Sequence, residues 1–314
     1  MVAMPWYAIV LPAAFLAASI AVTVLGFVIA FSACRPKRYS LLETRALETE
    51  RTPDLMQSYD AWEKVPFSVR SPHGYDLAAH YIPADDVLGK PRRFVVIAHG
   101  FSYTHHGSIK YASVFKDLGF HVVIYDERHH GASGGPNCTL GGYEKDDLRA
   151  VVDDVCARFG NGLFLGTCGE SMGAVAALLE QEGDPRVRFV VSDCAFSDLH
   201  GQFRHLVHRH PLIPLWPCLP LGEWLFRKIT GVDPRRVRPI DAVRTASAPM
   251  LFIHGEADRY IPPESARRLA DACASPKVLW IAGNGARHAE SFRKNRDDYV
   301  AIVRRFLADH IREY

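Results

Sequence analysis

The chain has 314 residues, 48% hydrophobic and 23% charged, an ordinary globular composition with length for one large core and an appendage. The net charge of +2 comes with no basic stripe interleaved with aromatics, so nucleic acid is not an expected partner. Seven cysteines, an odd number at irregular spacing, fit reduced thiols better than a disulfide framework.

The first predicted element is a membrane span. No charged residue stands between Pro5 and Ala33, and this run exceeds the roughly 20 residues that carry a helix across a bilayer. A cleaved signal peptide would carry Lys or Arg ahead of its apolar region, and Met1 to Tyr7 holds none. A lipidated Cys34 after "AFSA" would need the same basic start, and a small aliphatic where Phe31 stands. Arg35, Lys37 and Arg38 follow at once, which by the positive-inside bias places the C-terminal bulk in the cytoplasm. Residues 1–38 are therefore expected as an anchor with a basic flank, 39–63 as a linker with some helix, and 64–314 as the main domain.

"VPFSVRS" and "YDLAAHYIP", with Pro72 to Gly74 between them, read as a hairpin. "FVVIAHG", "FHVVIYDE", "LFLGTCG", "RFVVSDC", "PMLFIHG" and "KVLWIAG" follow as continuous apolar runs, the pattern of strands covered on both faces. Helical stretches separate them: Tyr111 to Leu118, Glu144 to Phe159, Met172 to Glu180, Glu264 to Ala274 and Ala289 to Ile311. The alternation predicts an α/β fold with a doubly wound, mostly parallel, eight-stranded sheet. It is broken by about fifty residues, roughly 198–247, whose proline-rich apolar centre "HPLIPLWPCLPLGEWLF" is expected to form a helical lid.

Within "GTCGESMGAVAALLE", Ser171 stands between Gly169 and Gly173 where a buried strand must turn into a helix. This is the G-x-S-x-G order that exposes a serine at the turn. A serine hydroxyl is a weak nucleophile until a base removes its proton, and the base needs a third group to orient it. Asp258 follows the strand "PMLFIHG" and His288 the strand "KVLWIAG", so the order serine, acid, histidine is met after later strands. Glu256 is a nearby competitor for the acid. The developing oxyanion needs donors: the N–H of Met172, just after the serine, and that of Phe101, after "FVVIAHG". The histidine-rich "THHG" and "HLVHRHP" lack acids at ligand spacing and read as surface or lid histidines, with no metal. Glu170 reads as a structural carboxylate.

From about Val65 onward the chain resembles the α/β-hydrolase superfamily. "IAHGF", "YDERHHGASGG", "GESMGAVAAL", "LFIHGEADRYIPPE" and "GARHAESF" match its oxyanion loop, post-strand loop, nucleophile elbow, acid loop and histidine loop. "GGYEKDDL", "GESMGA" and "SDCAFSDL" are similar to bacterial membrane-anchored hydrolases related to serine aminopeptidases. His129-His130-Gly131 departs from the glycine that other members place there. The resemblance implies a serine hydrolase without cofactor, acting on a small-molecule or acyl ester through Ser171, His288 and Asp258, with membrane lipid met through the span. An aminopeptidase, an acyl-thioesterase and a catalytically dead binding module are the alternatives. Between His200 and Met250 eight Lys or Arg face three acids, a balance that leans away from a cationic substrate, although Glu223 alone could hold an amine. Leu212, Ile213, Leu215, Trp216, Leu219, Leu221, Trp224 and Leu225 are expected in part to pack on the core and in part to line an acyl channel.

Overall fold

The computed structural model describes residues 7–85, 92–160, 162–211 and 213–311. Its strands are β1 (Val65–Arg70), β2 (Asp76–Ile82), β3 (Arg93–Ala98), β4 (His121–Tyr125), β5 (Phe164–Glu170), β6 (Val187–Asp193), β7 (Met250–Gly255) and β8 (Lys277–Ala282). They form one sheet in the order β1-β2-β4-β3-β5-β6-β7-β8. Only β2 runs against its neighbours β1 and β4, and the remaining pairs are parallel. The expected doubly wound, mostly parallel sheet is therefore present.

The helices are α1 (Tyr7–Cys34), α2 (Leu41–Arg51), α3 (Pro53–Ala61), α4 (Ile109–Asp117), α5 (Glu144–Phe159), α6 (Met172–Glu180), α7 (Leu199–His208), α8 (Leu215–Thr230), α9 (Pro239–Ala242), α10 (Glu264–Ala272), α11 (Ser291–Lys294) and α12 (Arg296–His310). Because successive side chains of a strand point to opposite faces, each central strand feeds two cores. Phe94, Val96 and Ala98 of β3 meet Leu148, Val151, Val152 and Val155 of α5 and the alanine face of α6. Val95 and Ile97 meet Tyr111 and Phe115 of α4 and Val303, Phe306 and Leu307 of α12. Both faces are dry, which is why these strands read as unbroken apolar runs.

Several expectations change. The stretch expected as a linker with some helix is mostly α2 and α3, opened by a capping box in which Ser40 and Glu43 satisfy each other's backbone N–H. Leu55, Met56 and Tyr59 of α3 are buried against the sheet. The single C-terminal helix expected from Ala289 is two, because Asn295 leaves helical geometry and its side chain bonds Gly283 O at 3.1 Å and Ser291 O at 3.3 Å. His105 and His106 of "THHG" are buried rather than on the surface, with His105 Nδ1 at 2.9 Å from Asp126 and His106 Nδ1 at 3.1 Å from Thr44.

The insert between β6 and β7 carries α7, α8 and α9, and α8 packs along the C-terminal end of α1. Gly26 is the first buried described residue of α1, and Ala30, Ala33 and Cys34 continue that buried stripe. Before it most described side chains are exposed: Phe15 is 76% exposed, and Leu16, Ile20 and Val24 stand more than half exposed. Of the insert's apolar residues, Leu219 is buried, while Leu215, Leu221 and Leu225 are half-buried. Trp216 and Trp224 are 80% and 54% exposed and do not border the cavities that reach Ser171; Leu212 lies outside the described residues.

Candidate active site

At the carboxyl end of β5 the chain enters α6 through Ser171, whose φ of 54° and ψ of −112° lie outside the ordinary regions. Such a conformation costs of order 1–3 kcal/mol and persists only where the surroundings impose it. Here the flanking glycines permit it. A Cβ on Gly173 would meet Ala98 O at 2.3 Å, and one on Gly169 would meet Gly173 O at 2.2 Å. The Ser171 N–H is held by Asp193 O at 2.7 Å. The side chain is thereby presented at the sheet's carboxyl edge, where open parallel sheets place their ligand sites.

Asp258 and His288, expected from the loops after β7 and β8, converge on that serine. His288 Nε2 lies 2.9 Å from Ser171 Oγ, and His288 Nδ1 lies 2.7 Å from Asp258 Oδ2. With the ring proton on Nδ1 donated to Asp258, Nε2 is free to accept from the serine hydroxyl. A proton has a continuous route from Ser171 to His288, and the resulting imidazolium would sit against a carboxylate. Asp258 is 4% exposed. Burial alone would raise its pKa, but the hydrogen bonds from His254 and His288 outweigh it and hold the carboxyl well below its usual range. Its Oδ1 accepts the N–H groups of Tyr260 at 2.8 Å and Ile261 at 3.0 Å. Glu256, the competing acid, is exposed and accepts the Gly285 N–H at 2.9 Å instead.

Met172 opens α6, so its N–H belongs to the first helical turn and has no intrahelical acceptor. Phe101 follows β3 and borders the same cavities as Ser171. The loop carrying it is fixed by His130, whose Nε2 accepts the Ser102 N–H at 3.0 Å while Nδ1 donates to Arg128 O at 2.7 Å. That pattern needs a neutral ring, and burial lowers the His130 pKa to about 3. His130 thus supports the loop beside the serine, while its neighbour His129, which replaces the family's glycine, takes a positive φ of 63°.

Sequence reasoning missed His254, which is fully buried with Nε2 at 3.1 Å from Asp258 Oδ2 and 2.8 Å from Ile261 O. It also missed the polar layer beneath the elbow. Tyr111 donates to Glu170 at 2.6 Å and reaches Asp193 at 3.1 Å, and Lys110 pairs with Glu170. Burial would raise Glu170, but the Lys110 charge beside it holds its pKa below the ordinary value. Asp193 is pushed up to about 6 by burial and by the neighbouring Glu170 charge.

Two cavities meet at Ser171. One, about 440 Å³, is apolar and runs between α7 and the end of α1, past Leu140, Phe196, Phe203 and Ile213. The other, about 430 Å³, is lined largely by polar and charged side chains, among them Glu48, Arg51, Tyr103, His288, Glu290 and Arg293. Phe101 and Tyr260 border both. A more open cleft of about 480 Å³ lies at Pro185, Val187 and Pro249, at the amino ends of β6 and β7 and away from the serine. Glu223 borders neither of the serine's cavities; it is buried between His200 and Arg235, with Arg235 Nη2 at 3.1 Å. Among the described residues, no cluster of His, Cys, Asp and Glu is arranged to hold a metal ion.

The family model described as serine aminopeptidase, S33 matches residues 89–222. The protein YqkD of Bacillus subtilis, itself uncharacterized, is 36% identical over 262 residues, covering 83% of this chain and 84% of its own. The lysophosphatidylserine lipase ABHD12 of Mus musculus is 26% identical over 240 residues, which cover 71% of this chain but only 58% of the lipase. Among solved structures, the esterase of Pyrococcus furiosus superposes with a TM-score of 0.65 at 19% identity, over 81% of this chain and 94% of the esterase. The esterase domain from a Rhodothermus marinus protein does so with a TM-score of 0.54 at 22% identity, over 79% of this chain and 97% of that domain. At these identities the structural likeness speaks for the fold.

Proposed function

The chain belongs to the α/β-hydrolases of the serine aminopeptidase S33 type, and on that premise we propose that it is a membrane-anchored serine hydrolase cleaving carboxylic esters of amphiphiles. The observation that carries this reading is the position of Ser171, 2.9 Å from His288 Nε2 and at the junction of an apolar and a polar cavity. Ser171 Oγ adds to the ester carbonyl while its proton passes to His288 Nε2. The Met172 and Phe101 N–H groups hold the oxyanion. Collapse breaks the bond to the alcohol, which leaves with the proton from His288. Water, deprotonated by the same nitrogen, then releases the carboxylic acid and restores Ser171. Asp258 keeps the imidazole in the working tautomer throughout.

The acyl chain occupies the apolar cavity and the alcohol the polar one, where Arg51 and Arg293 share the single carboxylate of Glu48 and keep donors for an anionic headgroup. A lysophospholipid meets both demands, in keeping with the activity for which the lysophosphatidylserine lipase ABHD12 of Mus musculus is named. The bare apolar surface of α1 supports insertion in a bilayer, and Arg35, Lys37 and Arg38 favour a cytoplasmic hydrolase domain. Trp216 and Trp224, with Lys228 Nζ 5.7 Å from the Trp224 ring, suit the membrane interface.

An aminopeptidase has Glu48 and Glu290 of the polar cavity in its favour, but Arg51 and Arg293 flank Glu48, Arg287 pairs with Glu290, and Glu223 is spent elsewhere. The full chain, purified in detergent, is tested against p-nitrophenyl esters, acyl-thioesters and aminoacyl anilides. Esters are expected to turn over best. Preferential cleavage of the anilides would replace this reading with the peptidase.

A further inference from the structure

We propose that the C-terminal end of α1 is a wall of the acyl site that selects chain length, and that the chain enters beside it from the bilayer; this rests on the ester-hydrolase reading. The apolar cavity that reaches Ser171 has α7 on one side and Val28, Ile29, Ser32 and Ala33 of α1 on the other. The helix therefore does more than tether the domain.

The position of the wall follows from helix geometry. From Tyr7 to Leu25, before the first residue described as buried, α1 rises about 28 Å at 1.5 Å per residue, close to the roughly 30 Å hydrocarbon core of a bilayer. The buried stripe beginning at Gly26 docks on α8, and charge returns at Arg35. Val28 and Ser32, exposed and one turn apart, thus stand at the rim of the cavity where hydrocarbon gives way to headgroups. Ile29 and Ala33 stand further in, half-buried and buried.

The lining chemistry selects the occupant. Ser32 spends its hydroxyl inside the helix, donating to Val28 O at 2.7 Å and Ile29 O at 3.2 Å. Gln202, on the facing wall, donates through Nε2 to Tyr260 O at 2.8 Å. With that hydroxyl and that amide N–H engaged and most of the remaining lining apolar, the walls suit an alkyl chain better than a headgroup. A single acyl chain can pass from the membrane along α1 to Ser171 without crossing water, while the polar cavity on the far side of the serine takes the alcohol portion.

The test compares kcat/KM for p-nitrophenyl dodecanoate and butyrate with the full chain in detergent micelles, and reads their ratio so that the fraction of folded enzyme cancels. Ser32→Trp, which fills the rim, is expected to lower the dodecanoate-to-butyrate ratio roughly tenfold or more. Val28→Ala, which widens it, is expected to raise the ratio. Ile20→Trp, one bilayer leaflet away on the same helix, is expected to leave it at the wild-type value. Equal ratios in all four proteins, or the same fall in Ile20→Trp as in Ser32→Trp, would overturn the wall. A wild type that cleaves neither ester would overturn the ester-hydrolase reading itself, and the inference with it.

Discussion

Gly222 of α8 and Gly26 of α1 pack backbone against backbone: a Cβ placed on Gly222 would stand 3.3 Å from Gly26 O and 2.8 Å from Ile29 Cγ2. Small residues allow such close approach, and they join the apolar N-terminal helix to the insert between β6 and β7. Gly222→Leu is expected to force the helices apart at a cost of about 1–3 kcal/mol. Thermal unfolding in detergent checks this. An unchanged midpoint would mean that the two helices separate freely.

The two carboxylates after β7 are told apart by their partners. Asp258→Asn removes the acceptor of the His288 Nδ1 proton and favours the wrong tautomer, for an expected loss in kcat of up to about 10⁴-fold. Glu256→Gln, on an exposed loop, is expected to stay within about twofold of wild type. Steady-state kinetics on one ester decides, and reversed effects would mean that Glu256 is the acid.

His254 acts through Asp258. Removing a hydrogen bond to a charged acceptor costs roughly 1.5–3 kcal/mol, so His254→Ala is expected to lower kcat by about 10- to 100-fold with little change in KM. A rise in KM at constant kcat would place His254 outside this arrangement.

Asp193 makes stability depend on pH. Its native pKa of about 6 lies above the ordinary 3.8, so the native state takes up a proton that the unfolded chain has lost. The contribution is full below about pH 3.8 and is lost as pH rises through about 6, up to about 3 kcal/mol in all. Asp193→Asn removes that dependence. The difference in melting temperature, wild type minus variant, is expected to fall between pH 4 and 7 and then level off; a difference that rises with pH would contradict the burial argument.

The sheet was legible because strands such as β4 are buried on both faces and carry no polar interruption. The convergence of Ser171, Asp258 and His288 was legible for a different reason: each follows a strand, and the loops after parallel strands gather at one sheet edge. His254 was not, since a histidine inside "LFIHG" reads as part of a buried run until the acid is seen to fold back on it. Ile29 and Ala33 read only as membrane residues, because hydropathy does not say whether lipid or protein covers a side chain. The same gap explains Trp216 and Trp224: their apolar mass suggested a channel, yet they face outward. Asn295 could not be told from an ordinary helical position without its contacts to Gly283 and Ser291.

The central claim is that Ser171 is an activated nucleophile, and reaction with a fluorophosphonate probe followed by mass spectrometry of the adduct tests it most directly. The full chain is expected to carry one phosphonyl group on the peptide containing Ser171, to lose it in Ser171→Ala, and to react at least about 10³-fold more slowly in His288→Ala. Ester hydrolysis in Ser171→Ala is expected to fall by about 10⁴-fold or more. A wild type that takes up no probe, or takes it up equally in Ser171→Ala, would contradict the account.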